Sequence, residues 1–318
     1  MISGANVPDA LNALYYGAFG STDAILESLV QATPLMFTGL AVLIAFRAKI
    51  WNIGVEGQLW MAMVGATFAN LYLSFLPQPL FSLVTILMAM AGGALWGVLA
   101  AYCRTRFNAN IVIITIMLNY VVKYFVSFLL GGVWREPGHH FYQTVRFSEA
   151  TFLPTFFNSR LLIGFFVAIL VAAGVYVMIN KTSFGLEMRA IGENPTSARY
   201  KGIRINRNIL LIMLLSGLVA GLAGVFELNG LHHRLKMDIS HGLGFTGILI
   251  AILGRLNPFG VILAAIFFGA LINGATAMQI FTGVPAALVA SVQGVVLVFV
   301  LAAEALTHYR IVRVPHAA

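Results

Sequence analysis

The groups with which this chain could do chemistry are few. Its 318 residues hold 11 acidic side chains, 7 histidines and a single cysteine. No Gly-x-x-x-x-Gly-Lys-Ser/Thr stretch is present, which excludes ATP hydrolysis on a phosphate loop of that kind. No His-Glu-x-x-His pair offers a zinc site, and lone Cys103 excludes an internal disulfide and any multi-cysteine metal centre. The pairs His139-His140 and His232-His233 are adjacent, so in helix or strand their rings point apart, and both fall in polar loops. No catalytic constellation and no metal ligand is assigned.

The remaining candidates are polar residues inside apolar stretches, where an uncompensated group is expensive and function is the default reading. Glu56 lies in Asn52-Ile-Gly-Val-Glu-Gly-Gln58, a run whose two glycines loosen a helix. Two roles are open to it. With Asn52 and Gln58 it could face a solute pathway; alternatively its carboxylate satisfies backbone N–H groups or a nearby cation. Asn119, within Thr115-Ile-Met-Leu-Asn-Tyr120, offers two donors and an acceptor that suit a sugar hydroxyl, a base edge or a neighbouring helix. Tyr120 and Phe245 are aromatic faces able to stack on a ring or to pack against lipid and core.

The elements that position these residues are membrane helices. Apolar residues make up 60% of the chain and charged ones 9%, and the mean hydropathy is +0.90; a soluble globule cannot carry that composition. Spans are expected over Leu26–Phe46, Gln58–Phe75, Leu80–Tyr102, Ile111–Leu130, Leu161–Ile179, Ile209–Leu228, Pro258–Ala277 and Ala286–Ala303. Leu243–Leu253 is too short to span and reads as a half-helix packed within protein. Residues 8–20 are weakly amphipathic and are expected at the outer surface, and the N-terminus lacks the basic start of a secretory signal. The fold class is therefore an all-α polytopic membrane protein, about 8–10 transmembrane helices in one domain covering residues 1–318, with broken or half-helices near its centre.

A net charge of +8 would suggest nucleic acid in a soluble protein. Here the basic residues gather at Arg47/Lys49, Arg104/Arg106, 181–207, Arg255 and Arg310/Arg313, which fall on one side of the spans if Leu243–Leu253 crosses or nearly crosses. That is the cytoplasmic side by the positive-inside rule, so the C-terminus is expected inside and residues 131–160 and 231–241 outside. No nucleic-acid partner is implied. The long 131–160 stretch is expected to form a small folded element or a docking surface. Close-spaced glycines (Gly92, Gly93, Gly97; Gly217, Gly221, Gly224; Gly269, Gly274) read as helix-packing contacts. A glycine-rich segment in each half, Asn52–Gln58 and Gly242–Gly247, suggests an internal repeat.

The polar island Ser183–Ile203 departs most from its surroundings. Asn194 followed by Pro195 is an N-cap and first-turn pair, which predicts a short helix over Pro195–Lys201 at the membrane surface. A solvated basic loop explains the charge but not the written-in cap.

Four segments in order resemble one family: Asn52–Gln58, Thr115–Tyr120, Gly185-Leu-Glu-Met-Arg-Ala-Ile-Gly-Glu-Asn-Pro-Thr-Ser-Ala-Arg-Tyr-Lys-Gly202 and Leu253-Gly-Arg-Leu-Asn-Pro-Phe-Gly260. They resemble permease subunits of bacterial ABC importers, in the superfamily that moves branched-chain amino acids, ribose and galactose, and within it the simple-sugar and nucleoside branch. The resemblance covers residues 24–304. It implies that Gly185–Gly202 is a coupling helix docking in a cytoplasmic ATPase through Glu193, Asn194, Pro195, Ala198 and Arg199. It implies that Asn52, Glu56, Gln58, Asn119, Tyr120, Phe245 and Thr246 line or shape the solute route. The Met-Leu-Asn-Tyr sequence points to nucleosides; where the family often carries an acidic residue, this chain has Thr246. The implied mechanism is alternating access in the bacterial inner membrane. Its partners are ABC ATPases, a second and different permease, a periplasmic or lipid-anchored solute-binding protein and membrane lipid. ATP and Mg belong to the ATPase, and this chain binds no cofactor. The competing class is a secondary transporter driven by an ion gradient, which needs intramembrane acids; only Glu56 qualifies.

Overall fold

The computed structural model of the protein describes residues 6–285 apart from 79, 139, 150, 151 and 154–162, and scattered positions between 287 and 302. His139, most of the span expected at 286–303 and the C-terminus lie outside the described residues. Along the chain run α1 (Val7–Phe19), α2 (Thr22–Phe46), α3 (Val55–Tyr72), α4 (Leu80–Phe107) and α5 (Ile111–Gly131). Then come α6 (Gly164–Lys181), the short α7 (Ser183–Glu193) and α8 (Pro195–Tyr200), and α9 (Ile205–Val225). A π-helical segment, Phe226–His232, continues α9 without a break, and α10 (Leu243–Leu253) and α11 (Pro258–Thr282) follow. Among the described residues there is no strand, only an isolated bridge between Gln143 and Lys236.

Six of these helices, counting α9 with its π-helical extension as one, are long and apolar enough to cross a bilayer. They start where the sequence supplies caps. Ser21 Oγ accepts from Ala24 N at 3.0 Å at the head of α2, and Asn110 Oδ1 accepts from Val112 N at 2.9 Å at the head of α5. Asn257 does the same for α11, with Pro258 in the first turn.

α2 is the central post. Leu35, Met36, Phe37, Leu40 and Leu43 have no exposed surface, because α9, α10, α11 and α6 surround the helix. Lys49, Arg104, Arg199 and Ile205 border one cavity, and Tyr176 of α6 meets Phe259 of α11 with ring centroids 5.4 Å apart. The C-terminal ends of α2, α4 and α6 and the starts of α9 and α11 therefore share a basic end. At the opposite end Trp134 Nε1 donates to Tyr72 Oη at 3.2 Å, and Thr144 N donates to Leu235 O at 3.0 Å. The expected folded element in 131–160 is thus present in its described part, pinned to residues 233–236 by backbone bonds and by Arg234–Glu136 at 3.4 Å.

α1 does not lie apart on a surface. It packs along the far half of α11, where Asn273 Nδ2 donates to Gly17 O at 2.9 Å.

Helix pairs in lipid gain little from hydrophobicity and rely on close packing. A Cβ on Gly93 would strike Gly217 O, and a Cβ on Gly217 would strike Gly93 O, so α4 and α9 meet backbone to backbone. Gly269 gives α11 the same approach to Ser28 and Ala32 of α2. Gly217→Val must push two backbones apart, a loss at or beyond the upper end of the ~1–3 kcal/mol typical of overpacking. The expected outcome is a clearly lowered melting temperature in detergent, measured by thermal unfolding of the purified protein; an unchanged value would remove this contact from the packing argument.

Candidate translocation site and coupling element

The chain leaving α2 does not continue outward. Ala48 N, Lys49 N and Ile50 N bond back to Ala45 O, Phe46 O and Ala45 O, and Lys49 takes a left-handed conformation (φ 54°) that reverses direction. Asn52 is then buried and donates through Nδ2 to Ser216 Oγ at 3.0 Å. Ser216 is the twelfth residue of α9, about 16 Å along that helix at 1.5 Å per residue. Residues 48–54 therefore re-enter the protein from the basic end, and α3 starts at mid-depth.

Each polar residue of this segment is bonded to the frame around it. Asn52 Oδ1 accepts from Gly54 N at 3.0 Å, and Ser216 Oγ donates to Ala41 O at 2.8 Å and lies 3.4 Å from Gln58 Oε1. Asn119 Oδ1 accepts from Gly57 N at 2.8 Å while its Nδ2 donates to Ile53 O at 2.9 Å, so one amide of α5 holds both sides of the first turn of α3. Gln58 Nε2 and Trp96 Nε1 are buried donors without an acceptor among the described residues.

Glu56 joins the two halves. Its Oε1 accepts from Trp60 Nε1 at 3.0 Å and from Ser240 Oγ, and its Oε2 accepts from Gly244 N at 2.9 Å. Gly244 is in the first turn of α10, so the carboxylate sits at the positive end of that helix. A Cβ at Gly244 would overlap the Glu56 backbone, which makes glycine a steric requirement there. The two glycine-rich segments that suggested a repeat are in direct contact. Phe245 and Tyr120, next in sequence to Gly244 and Asn119, are 46% and 58% exposed. Thr246 is half-buried, its hydroxyl turned back to Gly242 O at 3.3 Å.

At the basic end the predicted short helix is present as α8. Asn194 Oδ1 accepts from Ser197 N at 3.0 Å, Pro195 fills the first turn and Ala198 is buried. α7 precedes it, capped by Thr182 and tied to α9 by Asn208 Nδ2 donating to Glu187 Oε2 at 2.8 Å. Two contacts join this element to the re-entrant segment. Glu193 Oε2 pairs with Lys49 Nζ at 3.5 Å, and a Cβ on Gly192 would lie 3.1 Å from Arg47 O and Ala48 C. The ion pair is exposed and contributes little stability; the backbone contact sets the spacing. Arg199 lines, with Lys49, Arg104 and Asn108, an open cavity of about 320 Å³ beneath α8.

Sequence reasoning missed the partners. Trp60 stands at i+4 from Glu56, a spacing that brings side chains together on a helix, and could have been paired with it. Ser240, Ser216 and Lys49 come from distant elements, and only the fold brings them in. At the far end Glu227 is buried in the π-helical segment with its Oε1 3.0 Å from His232 Nε2, beside Asn70 and Asn229, whose amides exchange bonds at 3.2 Å.

A polytopic helical fold, a re-entrant segment held at mid-depth and a rigid helix pair at the basic end define a membrane transport component. The chain belongs to the family described as branched-chain amino acid transport system / permease component, which matches residues 24–301. It is 36% identical over 316 residues to the guanosine ABC transporter permease protein NupP of Bacillus subtilis, covering 96% of this chain and 89% of that protein. It is 32% identical to the glucose ABC transporter permease protein TsgB13 of Haloferax volcanii, covering 95% and 82% of the two chains. Identity to the nucleoside ABC transporter permease protein NupB of Lactococcus lactis is 30%, over 90% and 81%. No solved structure matches.

Asn119→Leu tests the role the geometry gives this amide. It leaves Gly57 N and Ile53 O buried and unbonded, at about 1–3 kcal/mol for each group. The expected outcome is a destabilised protein with a lower unfolding midpoint. Unchanged stability with lost uptake would instead assign Asn119 to the solute.

Proposed function

We propose that this chain is the membrane-spanning permease subunit of an ABC importer that carries a nucleoside across the bacterial inner membrane by alternating access. The observation that carries the reading is the α7–α8 element. It is capped, tied to α9 and pressed against the re-entrant segment, as a part must be if it is to pass on a movement made by another protein. Glu193, Asn194, Pro195, Ala198 and Arg199 form the docking surface for a cytoplasmic ABC ATPase, which binds ATP and Mg and performs the hydrolysis. This chain is non-catalytic. Its other partners are a second, different permease and a periplasmic or lipid-anchored solute-binding protein.

Movement of α7–α8 reaches the membrane interior through residues 47–50 as well as through α6 and α9. From Lys49 the chain runs three residues to Asn52 and seven to Glu56, where α10 is held. Guanosine and nucleoside permeases among the relatives support a nucleoside as solute. The glucose permease relative supports a simple sugar as the second reading. Ion-gradient transport is disfavoured, since the carboxylate of Glu56 already accepts from Trp60, Ser240 and Gly244.

Two outcomes are expected. Glu193→Arg combined with Arg199→Glu leaves the permease inserted but weakens ATPase recruitment or uncouples hydrolysis from uptake, read as ATP consumed per nucleoside imported. Normal recruitment and uptake would reduce the island to a charged loop. With the basic end cytoplasmic, Ser183→Cys and Ser148→Cys, each in a Cys103→Ala background, react with an impermeant thiol reagent from opposite sides of the membrane. Reaction from one side alone would overturn the topology.

A further inference from the structure

Besides the buried donors Gln58 Nε2 and Trp96 Nε1, which have no acceptor among the described residues, two sets of polar residues lie at mid-depth. Asn52, Glu56 and Asn119 are buried and bonded within the chain. The second set lies on α5. Tyr120, Lys123 and Tyr124 are exposed and Ser127 is half-buried, and none of the four side chains has a hydrogen-bond or ion-pair partner among the described residues.

Their placement around the helix is ordered. From Asn119 onward, Asn119, Val122, Val126 and Leu130 are buried against the protein. At about 100° per residue, Lys123, Ser127, Tyr120 and Tyr124 fill one exposed arc of roughly 100°, and Phe128, Val121 and Phe125 fill another of roughly 60°. From Asn119 to Leu130 the exposed surface of α5 is therefore split into a polar flank and an apolar flank, while in the first half of the helix the exposed Ile113 lies in line with the polar one. On α4 the exposed side chains Leu83, Leu87, Leu95 and Leu99 form an ordinary lipid-facing surface. Tyr120 and Lys123 sit about 13 Å and 18 Å along a helix about 30 Å long, close to the bilayer centre. Hydrocarbon cannot satisfy a phenol and an ammonium at that depth, and Tyr124 and Ser127 continue the same flank toward the far end. Asn119 and Gly244 grip the consecutive residues Gly57 and Glu56, so Tyr120 and the exposed Phe245 stand at one level of the membrane.

We propose that the polar flank of α5 is the surface along which the solute passes, with Tyr120 and Tyr124 stacking on a nucleobase. Lys123 donates to an acceptor on the base edge, and Ser127 bonds to the ribose hydroxyls. This deepens and rests on the nucleoside reading above. Two aromatic rings one helical turn apart suit the flat faces of a base, which stack on such rings irrespective of base identity.

The test uses the importer assembled from this chain and its partner subunits, in a Cys103→Ala background. Tyr120→Cys, Tyr124→Cys and Ser127→Cys are each compared with Val121→Cys and Phe125→Cys. A charged thiol reagent should modify the first three rapidly and the last two hardly at all, and saturating guanosine should slow modification of the first three. Lys123→Met should raise the guanosine concentration for half-maximal uptake about tenfold, the loss of one charge-assisted hydrogen bond. Equal reaction on both flanks, no reaction on the polar flank, or reaction that no nucleoside slows in an importer that takes nucleosides up would each overturn the proposal. A dry contact with the second permease would show as cross-linking without reagent modification, and would also overturn it. If the unaltered importer takes up no nucleoside, the functional reading fails and the nucleobase assignment with it; the flank's reaction with reagent then reports separately on whether water lines it.

Discussion

A carboxylate at the centre of an apolar fold has to be met by donors on every side, because leaving it bare costs far more than any packing contact returns. Glu56 meets that demand by recruiting a tryptophan from its own helix, a serine from the segment before α10 and the first-turn backbone of α10 itself. The first turn of α3 and the short helix α10 are thereby fastened to each other. α3 cannot start where it does without Asn52 and Asn119 holding its entrance, and α10 cannot start where it does without an acceptor for its free N–H groups. One buried charge thus sets the register between the halves of the chain.

Backbone proximity does the rest. Glycines at the α4–α9 and α2–α11 crossings remove the side-chain layer that would hold these helices apart, and Gly244 does so at the charge itself. Dispersion forces act over short distances, so helices that touch along their backbones gain more contact per turn than helices separated by leucines. The bundle is tight where its halves meet, and the wet or lipid-covered surfaces are left to α4, α5 and α6.

Much of this was legible in the sequence. The apolar runs gave the long helices, the brevity of Leu243–Leu253 marked a half-helix, and Asn194-Pro195 announced α8, because caps and hydrophobic length are local properties. The entrance to α3 was less legible. Gln58 read as the start of a span, but the helix begins at Val55 and ends at Tyr72, since the bonds that support its first turn come from α5, α9 and α10. Glu56 carried two readings from sequence, and the contacts with Ser240 and Gly244, 184 and 188 residues away, had no local signal. The position of α1 along α11 was hidden for the same reason: weak amphipathicity does not say which surface a helix covers. Lys123 is a single charge within an apolar run; only its neighbours around the helix reveal the polar flank it belongs to.

The contact between Gly192 and the Arg47–Ala48 backbone separates two histories within one short element. A joint made of main chain against main chain is indifferent to most side-chain replacements around it, whereas the outward face of α8 is all side chain. Side chains on the outside can therefore be replaced while the inner joint keeps the same shape. Under the docking proposed above, a new partner would need changes only in surface side chains and would meet the same inward linkage, a form of modularity that comes from a missing methyl group.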